Sequence, residues 1–328
     1  MVTLLRLSIA AIALCGPVCL AQVPRDGSAP PARRDAYDTE ALLDDARRLT
    51  ADDLPRLKAG AEREEARAQV LLGLAYEFGY GGLTRQADAA LSWFMKAAEQ
   101  GVPWAEAWAA DFYFNGSMGT VRDVPKALAL YRSAASRGEG RAAFVVGQMY
   151  FYGDGVDTSL QEAATWFRRA AAASPDLSSR MAALAEGPCE SRFCVALRQV
   201  MGAITTGAAD RFVEGWNDAA REWDATITLP GNDRCGLTSS DRTSVGDVQN
   251  YFCDSAAFDD EARGMAMARE LADEVEKALP SGYERTDRDL PRPGPSTFFA
   301  REGYPHLRVT YNITPGSAQH RVTLLVGP

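Results

Sequence analysis

The sequence predicts an α-helical repeat solenoid of about three and a half units, followed by a small α+β domain with a mostly antiparallel sheet. Three observations predict it. Tyr76, Tyr113 and Tyr150 recur 37 residues apart, as do Gly79, Gly116 and Gly153. After Gly187 the apolar spacing changes from the helical period to alternation. The four cysteines beyond the first 21 residues, Cys189, Cys194, Cys235 and Cys253, all lie in that second region.

Taken in order, the chain opens MVTLLRLSIAAIALCGPVCLAQVPRD, with Arg6, an apolar run from Leu7 to Leu14, a Gly16-Pro17 break and then small residues. This is the layout of a secretory signal peptide over residues 1–21, cleaved after Ala21 with Cys19 at the −3 position. The run is too short to stay behind as a transmembrane anchor. The residues before Cys15 and Cys19, IAL and GPV, fit lipoprotein processing poorly. Residues 22–36 are rich in Pro, Gly and charge with little to bury, which predicts a flexible linker. An even set of four cysteines in an exported chain predicts two disulfides, with three possible connectivities. A zinc site is the alternative, but the spacings are C-x4-C and C-x17-C, and only His306 and His320 could supplement them. The expected location is periplasmic or secreted. Loss of Arg6 with the leader takes the formal net charge from −9 to −10. With no Lys/Arg cluster, such a surface repels polyphosphate and excludes nucleic acid as a partner.

Residues 37–186 form the repeat region. LGLAYEFGYG (72–81), AADFYFNGSM (109–118) and GQMYFYGDGV (147–156) open successive units. Each second half begins at Ala90, Ala127 or Ala163, continues with Trp93, Leu130 or Trp166, and closes on an alanine pair. A half unit, LKAGAERE, stands in front with Gly60-Ala61 one period before Ala97-Ala98. Ala68, Leu72, Ala75 and Tyr76 share one helix face. The alanines let helices approach closely, and the glycines end the first helix of each unit. The closely spaced glycines of GQMYFYGDGV could suggest a phosphate loop. That loop needs a strand before it, whereas here a helix precedes and the stretch recurs.

On Ala-x-x-x-Leu-Gly-x-x-Tyr-x-x-Gly-x-Gly followed by Ala-x-x-Trp-Phe-x-x-Ala-Ala, the units resemble the Sel-one-like repeat, a relative of the tetratricopeptide repeat. The match is nearly complete over 68–101 and 142–171, and the middle unit departs from it at Ala110 and Met118. The resemblance implies a scaffold that binds a protein or peptide partner, without enzymatic activity and without a cofactor.

Residues 187–328 form the second domain. CVALRQVMGAITTGAADRFVEGW can start as a helix, although Gly202 and Gly207 argue for breaks. Trp223, Ala225, Ile227 and Leu229 alternate with polar residues, as in a half-buried strand. A hairpin follows in which Cys235 and Cys253 would face each other, favouring that pair and, by elimination, Cys189 with Cys194. DDEARGMAMARELADEVEKALP predicts a helix capped by Asp259 and stopped by Pro280. A Pro-rich connector then leads to HLRVTYNI, with Leu307, Val309, Tyr311 and Ile313 on one face, and to HRVTLLVG.

No Gly-x-Ser-x-Gly elbow is present. His306 and His320, the two histidines, could approach each other in the final hairpin. Catalytic and metal residues are therefore expected to be none. Asp111, Phe114, Phe144, Gln148 and Phe151 vary from unit to unit on the face of the first helices away from the Ala/Leu/Tyr core, with Trp108 near the second unit's start. They are the candidate partner-binding residues on the concave surface. The alternative is that these aromatics pack against neighbouring helices or the second domain. The competing functional readings are an envelope enzyme or enzyme subunit carried by its repeats, and a glycan-binding module marked by exposed sheet aromatics. The oligomeric state stays open.

Overall fold

The computed structural model describes residues 39–172, 175–208, 213–217, 222–225, 234–239, 248–255, 257, 260–289, 295–313 and 320–327. The expected leader and linker lie outside the described residues, as do Asp259, Ile227 and Leu229. The chain divides into two compact units, Met1–Val146 and Gly147–Pro328.

The first unit holds α1 (Thr39–Arg47), α2 (Leu54–Glu62), α3 (Ala66–Phe78), α4 (Ala87–Glu99), α5 (Pro103–Asn115), α6 (Val124–Ser136) and the start of α7 (Gly140–Tyr152). The repeat frame is visible in its backbone. Gly79 and Gly116 end α3 and α5 in the left-handed conformation, at φ 78° and 62°. The N–H groups of Gln86 and Asp123 reach back to the carbonyls of Tyr76 and Tyr113, at 3.0 and 2.7 Å, and fold the second helix onto the first. Gly73 is needed for closeness: a Cβ there would sit 2.6 Å from the Phe94 ring. In the middle repeat Ala110 takes the glycine's place, and Tyr131 replaces the phenylalanine. Val70 and Leu74, which do not share the face of Ala68, Leu72, Ala75 and Tyr76, are fully buried as well. The reason is α1, which packs along α3 and contributes Leu42 and Ala46 to the same cluster.

The second unit continues with the end of α7, α8 (Leu160–Ala170), α9 (Pro175–Ala185) and α10 (Arg192–Thr206). Then come β1 (Val213–Asn217), β2 (Glu222–Ala225), β3 (Arg234–Ser239), β4 (Val248–Asp254), α11 (Glu261–Ala278), β5 (Glu284–Arg288), β6 (Ser296–Ala300), β7 (His306–Ile313) and β8 (His320–Gly327). Gly153 repeats the left-handed turn at φ 79°, and a Cβ on Gly147 would lie 2.6 Å from Phe167, as at Gly73. The strands form one antiparallel sheet in the order β1-β2-β3-β4-β8-β7-β6-β5. Tyr251, Cys253, Leu307, Val309, Tyr311, Val322, Leu324 and Val326 are buried on one face, where α11 packs on β7 and β8. Cys235 stands directly opposite Cys253 in the β3–β4 register and is bonded to it, and Cys189 is bonded to Cys194.

Several details differ from the sequence expectation. Gly207 ends α10, but Gly202 sits inside it, because a Cβ there would press into the Phe151 ring at 2.6 Å. The N-cap of α11 is Asp260, one residue after Asp259, and its side chain accepts from the Arg263 N–H. The Pro-rich connector contains β6, paired on both sides, and β1 follows what reads as a helical run. Arg198, 1% exposed, donates to the carbonyls of Ala278, Glu186 and Pro188 and so ties α10 to the end of α11 and the loop after α9.

Candidate partner-binding site

Helix α5 begins at Pro103, which suits a first helical turn, and is closed by Gly116. Its spacing i, i+4, i+7 sets Trp104, Trp108 and Asp111 on one side. The two indoles stack with centroids 4.4 Å apart. Trp108 Nε1 donates to the carboxylate of Glu77 on α3. Asp111 accepts from the Tyr131 hydroxyl at 2.5 Å and from Arg141 at 2.5 and 3.4 Å. The Arg141 guanidinium lies 5.3 Å from the Trp108 ring centre. Three consecutive first helices are thereby joined through side chains. The result is a half-buried strip of two carboxylates, one guanidinium and the Trp108 indole, which stacks on the buried Trp104.

The electrostatics follow from the burial. Removal from water pushes the Glu77 carboxyl up to about 7, the Asp111 charge adding to this while the Trp108 N–H, Arg141 and Arg85 oppose it. Burial and the neighbouring Asp111 carboxylate hold the Tyr131 hydroxyl well above its ordinary value. Such a strip can present an indole and a half-buried ion pair to a partner side chain; it contains no nucleophile paired with a base.

Of the six residues expected to bind a partner, Trp108 and Asp111 are brought together directly. Phe114 lies beside them, its ring 6.4 Å from Tyr131 and 5.7 Å from the Arg122 guanidinium. Phe144 and Gln148 are half-buried on α7. Phe151 is different. It is fully buried, 6.0 Å from Phe167 in an edge-to-face contact, with Gly202 against its ring and its carbonyl accepting from Gln199. The structure therefore corrects its expected exposure, because α10 crosses the position that an open surface would require. Glu77, Tyr131 and Arg141 were not singled out from sequence. Tyr131 had a signal, since it is the one hydroxyl at a position occupied by Phe94 and Phe167 in the other units.

The histidine pair does not assemble. His306 pairs with Gly327 and His320 with Ile313, seven residue steps apart on adjacent strands, roughly 23 Å at a strand's rise. A cleft of about 520 Å³ near the Cys189–Cys194 loop is lined by the exposed Arg168–Glu186 ion pair, and its lining residues form no acid–base couple. Among the described residues no group of His, Cys, Asp and Glu is placed to hold a metal.

Fold and strip together define a helical-repeat solenoid protein. Residues 66–102, 105–139 and 140–175 each match the family model of the Sel1 repeat, and the chain carries three Sel1 repeats. A Sel1 repeat protein from Oxalobacter formigenes is 32% identical, the match covering 40% of this chain and 96% of that one with a TM-score of 0.36. Cysteine rich protein B of Helicobacter pylori is 17% identical over 42% of this chain and 94% of that one, with a TM-score of 0.32. Chitin synthase regulatory factor 3 of Schizosaccharomyces pombe is 35% identical over 107 residues, 32% of this chain. The match spans only 12% of that relative's length. Sel1 repeats generally serve as protein–protein interaction modules. The two disulfides fit an extracellular location, and among the described residues no helix is long and apolar enough to cross a membrane.

Proposed function

We propose that the protein is an exported adaptor of the bacterial cell envelope, which binds a protein or peptide partner on the inner face of its solenoid. The observation that carries this reading is the strip on α5. Trp108 offers a large, rigid apolar surface beside the Asp111–Arg141 pair, with Phe114 one turn further on. Half-buried aromatics flanked by a fixed ion pair have the composition of an interface centre. Phe144, half-buried at the start of α7, extends the proposed surface within the first unit. The signal-peptide pattern of residues 1–21 and the oxidised cysteines support export.

The test is affinity capture from envelope extract with wild-type protein and a Trp108→Ala/Phe114→Ala variant whose helicity by circular dichroism matches wild type. The variant is expected to lose a discrete partner. An unchanged set of captured proteins overturns the inner-face reading.

A further inference from the structure

Pro291 to Pro328 runs against the acidity of the whole chain. Four arginines stand in this stretch against one carboxylate, Glu302, in a protein of formal net charge −9. One of the four, Arg301, lies 3.9 Å from the centre of the Tyr304 ring in the β6–β7 turn. Arg180 on α9 approaches the same ring, at 5.8 Å. The Tyr283 ring packs edge-to-face on Tyr304 at 6.4 Å, and its hydroxyl donates to the Pro305 carbonyl. All four side chains are half-buried.

The inventory of donors and acceptors here does not balance. Arg301 donates to the Ser281 carbonyl at 2.8 Å, which leaves its other N–H groups unused. The Arg180 Nε is buried with no hydrogen-bond partner. Among the described residues neither guanidinium is paired with a carboxylate, and the Tyr304 hydroxyl has no partner. A buried donor left unmade is costly, and an unfilled ion position is one of its ordinary explanations. Elsewhere in the same unit an arginine is treated differently: Arg285 is surrounded by Asp273, Glu276 and Asp287.

We propose that Arg180, Arg301 and Tyr304 form a binding site for a phosphate- or sulfate-type oxyanion. Two guanidiniums approach one aromatic ring, each with N–H donors to spare, and the tyrosine hydroxyl adds another. A guanidinium binds an oxyanion by charge-assisted bonds stronger than neutral ones, and half-burial reduces the competition from water. The ligand also links α9 to the β6–β7 turn. This site is independent of the solenoid face and stands or falls apart from it.

The experiment is titration calorimetry on the protein with both disulfides formed, at low ionic strength. One arm uses inorganic phosphate, and the other uses vesicles containing phosphatidylglycerol, so that a free anion is distinguished from a lipid headgroup. Arg301→Gln and Arg180→Gln are each expected to weaken binding by about tenfold or more, the loss of a charge-assisted bond. Arg288→Gln, which removes an equal charge outside the site, is expected to leave binding within about twofold, as for a solvated distant charge. Tyr304→Phe deletes one hydroxyl, keeps the stack, and is expected to weaken binding severalfold even if an arginine variant fails to fold. Saturable binding in either arm that follows this order supports the site and names its source. If neither arm shows saturable binding, or if Arg288→Gln and Tyr304→Phe show the opposite ranking, the proposal is overturned.

Discussion

Replacing Glu77 by Gln tests the electrostatic account of the α5 strip most directly. The Gln carbonyl keeps an acceptor for Trp108 Nε1, so the change removes a charge while preserving the contact. Burial raises this carboxyl from an ordinary 4.5 to about 7. At about 1.4 kcal/mol per tenfold, that corresponds to roughly 3 kcal/mol against the ionised form, an upper figure because the side chain keeps some solvent. The sign follows from proton counting. Between pH 4.5 and 7 the folded protein holds the Glu77 proton after the unfolded chain has released it, so wild-type stability falls as pH rises through this window. Above pH 7 both states are ionised and the full cost persists. Glu77→Gln is therefore expected to match wild type below pH 4.5 and to exceed it by about 1–3 kcal/mol at pH 8, roughly 2–12 °C in melting temperature for a unit of this size. The assay is a pair of thermal melts from pH 4 to 8.5. The other carboxylates titrate alike in both proteins and cancel in the difference. Parallel curves across this range would refute the reasoning, since they would mean that Glu77 titrates as a solvated carboxylate.

Gly147→Ala places a methyl 2.6 Å from the Phe167 ring and is expected to cost about 1–3 kcal/mol in chemical denaturation. Gly147→Ala with Phe167→Leu should recover part of that loss, the non-additivity expected of residues in contact. Cys235→Ala/Cys253→Ala opens a bridge with a sequence separation of 18. The chain-entropy relation assigns it about 3 kcal/mol, read as a lower denaturation midpoint for the sheet-bearing unit. Nonreducing peptide mapping of the wild type should recover Cys189–Cys194 and Cys235–Cys253 as the linked pairs.

The repeat frame was legible because each of its residues answers a local requirement that recurs every 37 positions. Gly79, Gly116 and Gly153 all take a left-handed turn, and Gly73 and Gly147 both admit a ring from the second helix. The cysteine pairing was legible from hairpin spacing, and β7 and β8 from strict alternation. What escaped was set by non-local packing. Pro and Gly on both sides of β6 look like a connector, yet Phe298 and Phe299 find partners on β5 and β7 that local composition does not encode. Gly202 looks like a break because propensity counts its own flexibility and not the Phe151 ring that needs the space. The strip on α5 was half legible: Trp108 and Asp111 stand out as departures from the frame, while Glu77 and Arg141 acquire meaning only when α3, α5 and α7 lie side by side.

Phe151 shows why variation within a repeat does not by itself mark a binding surface. Its counterpart Phe114 varies against the same frame and stays half-buried, whereas Phe151 receives α10 and is buried completely. The difference comes from position in the array. A solenoid's terminal repeats must cover an apolar face that inner repeats share with neighbours. Here α1 covers Val70 and Leu74 in the first unit, and α10 brings Gly202 onto Phe151 in the second. Arg198 then fixes α10 by donating to Ala278 at the end of α11, so the covering helix is joined by hydrogen bonds to the sheet-packed helix. Unit-specific residues near either end are thus explained by closure of the array. Those on α5, which has a repeat on each side of it in sequence, are not explained by closure: Trp108 and Asp111 join α3, α5 and α7 through side chains, and the proposed recognition surface is centred on them.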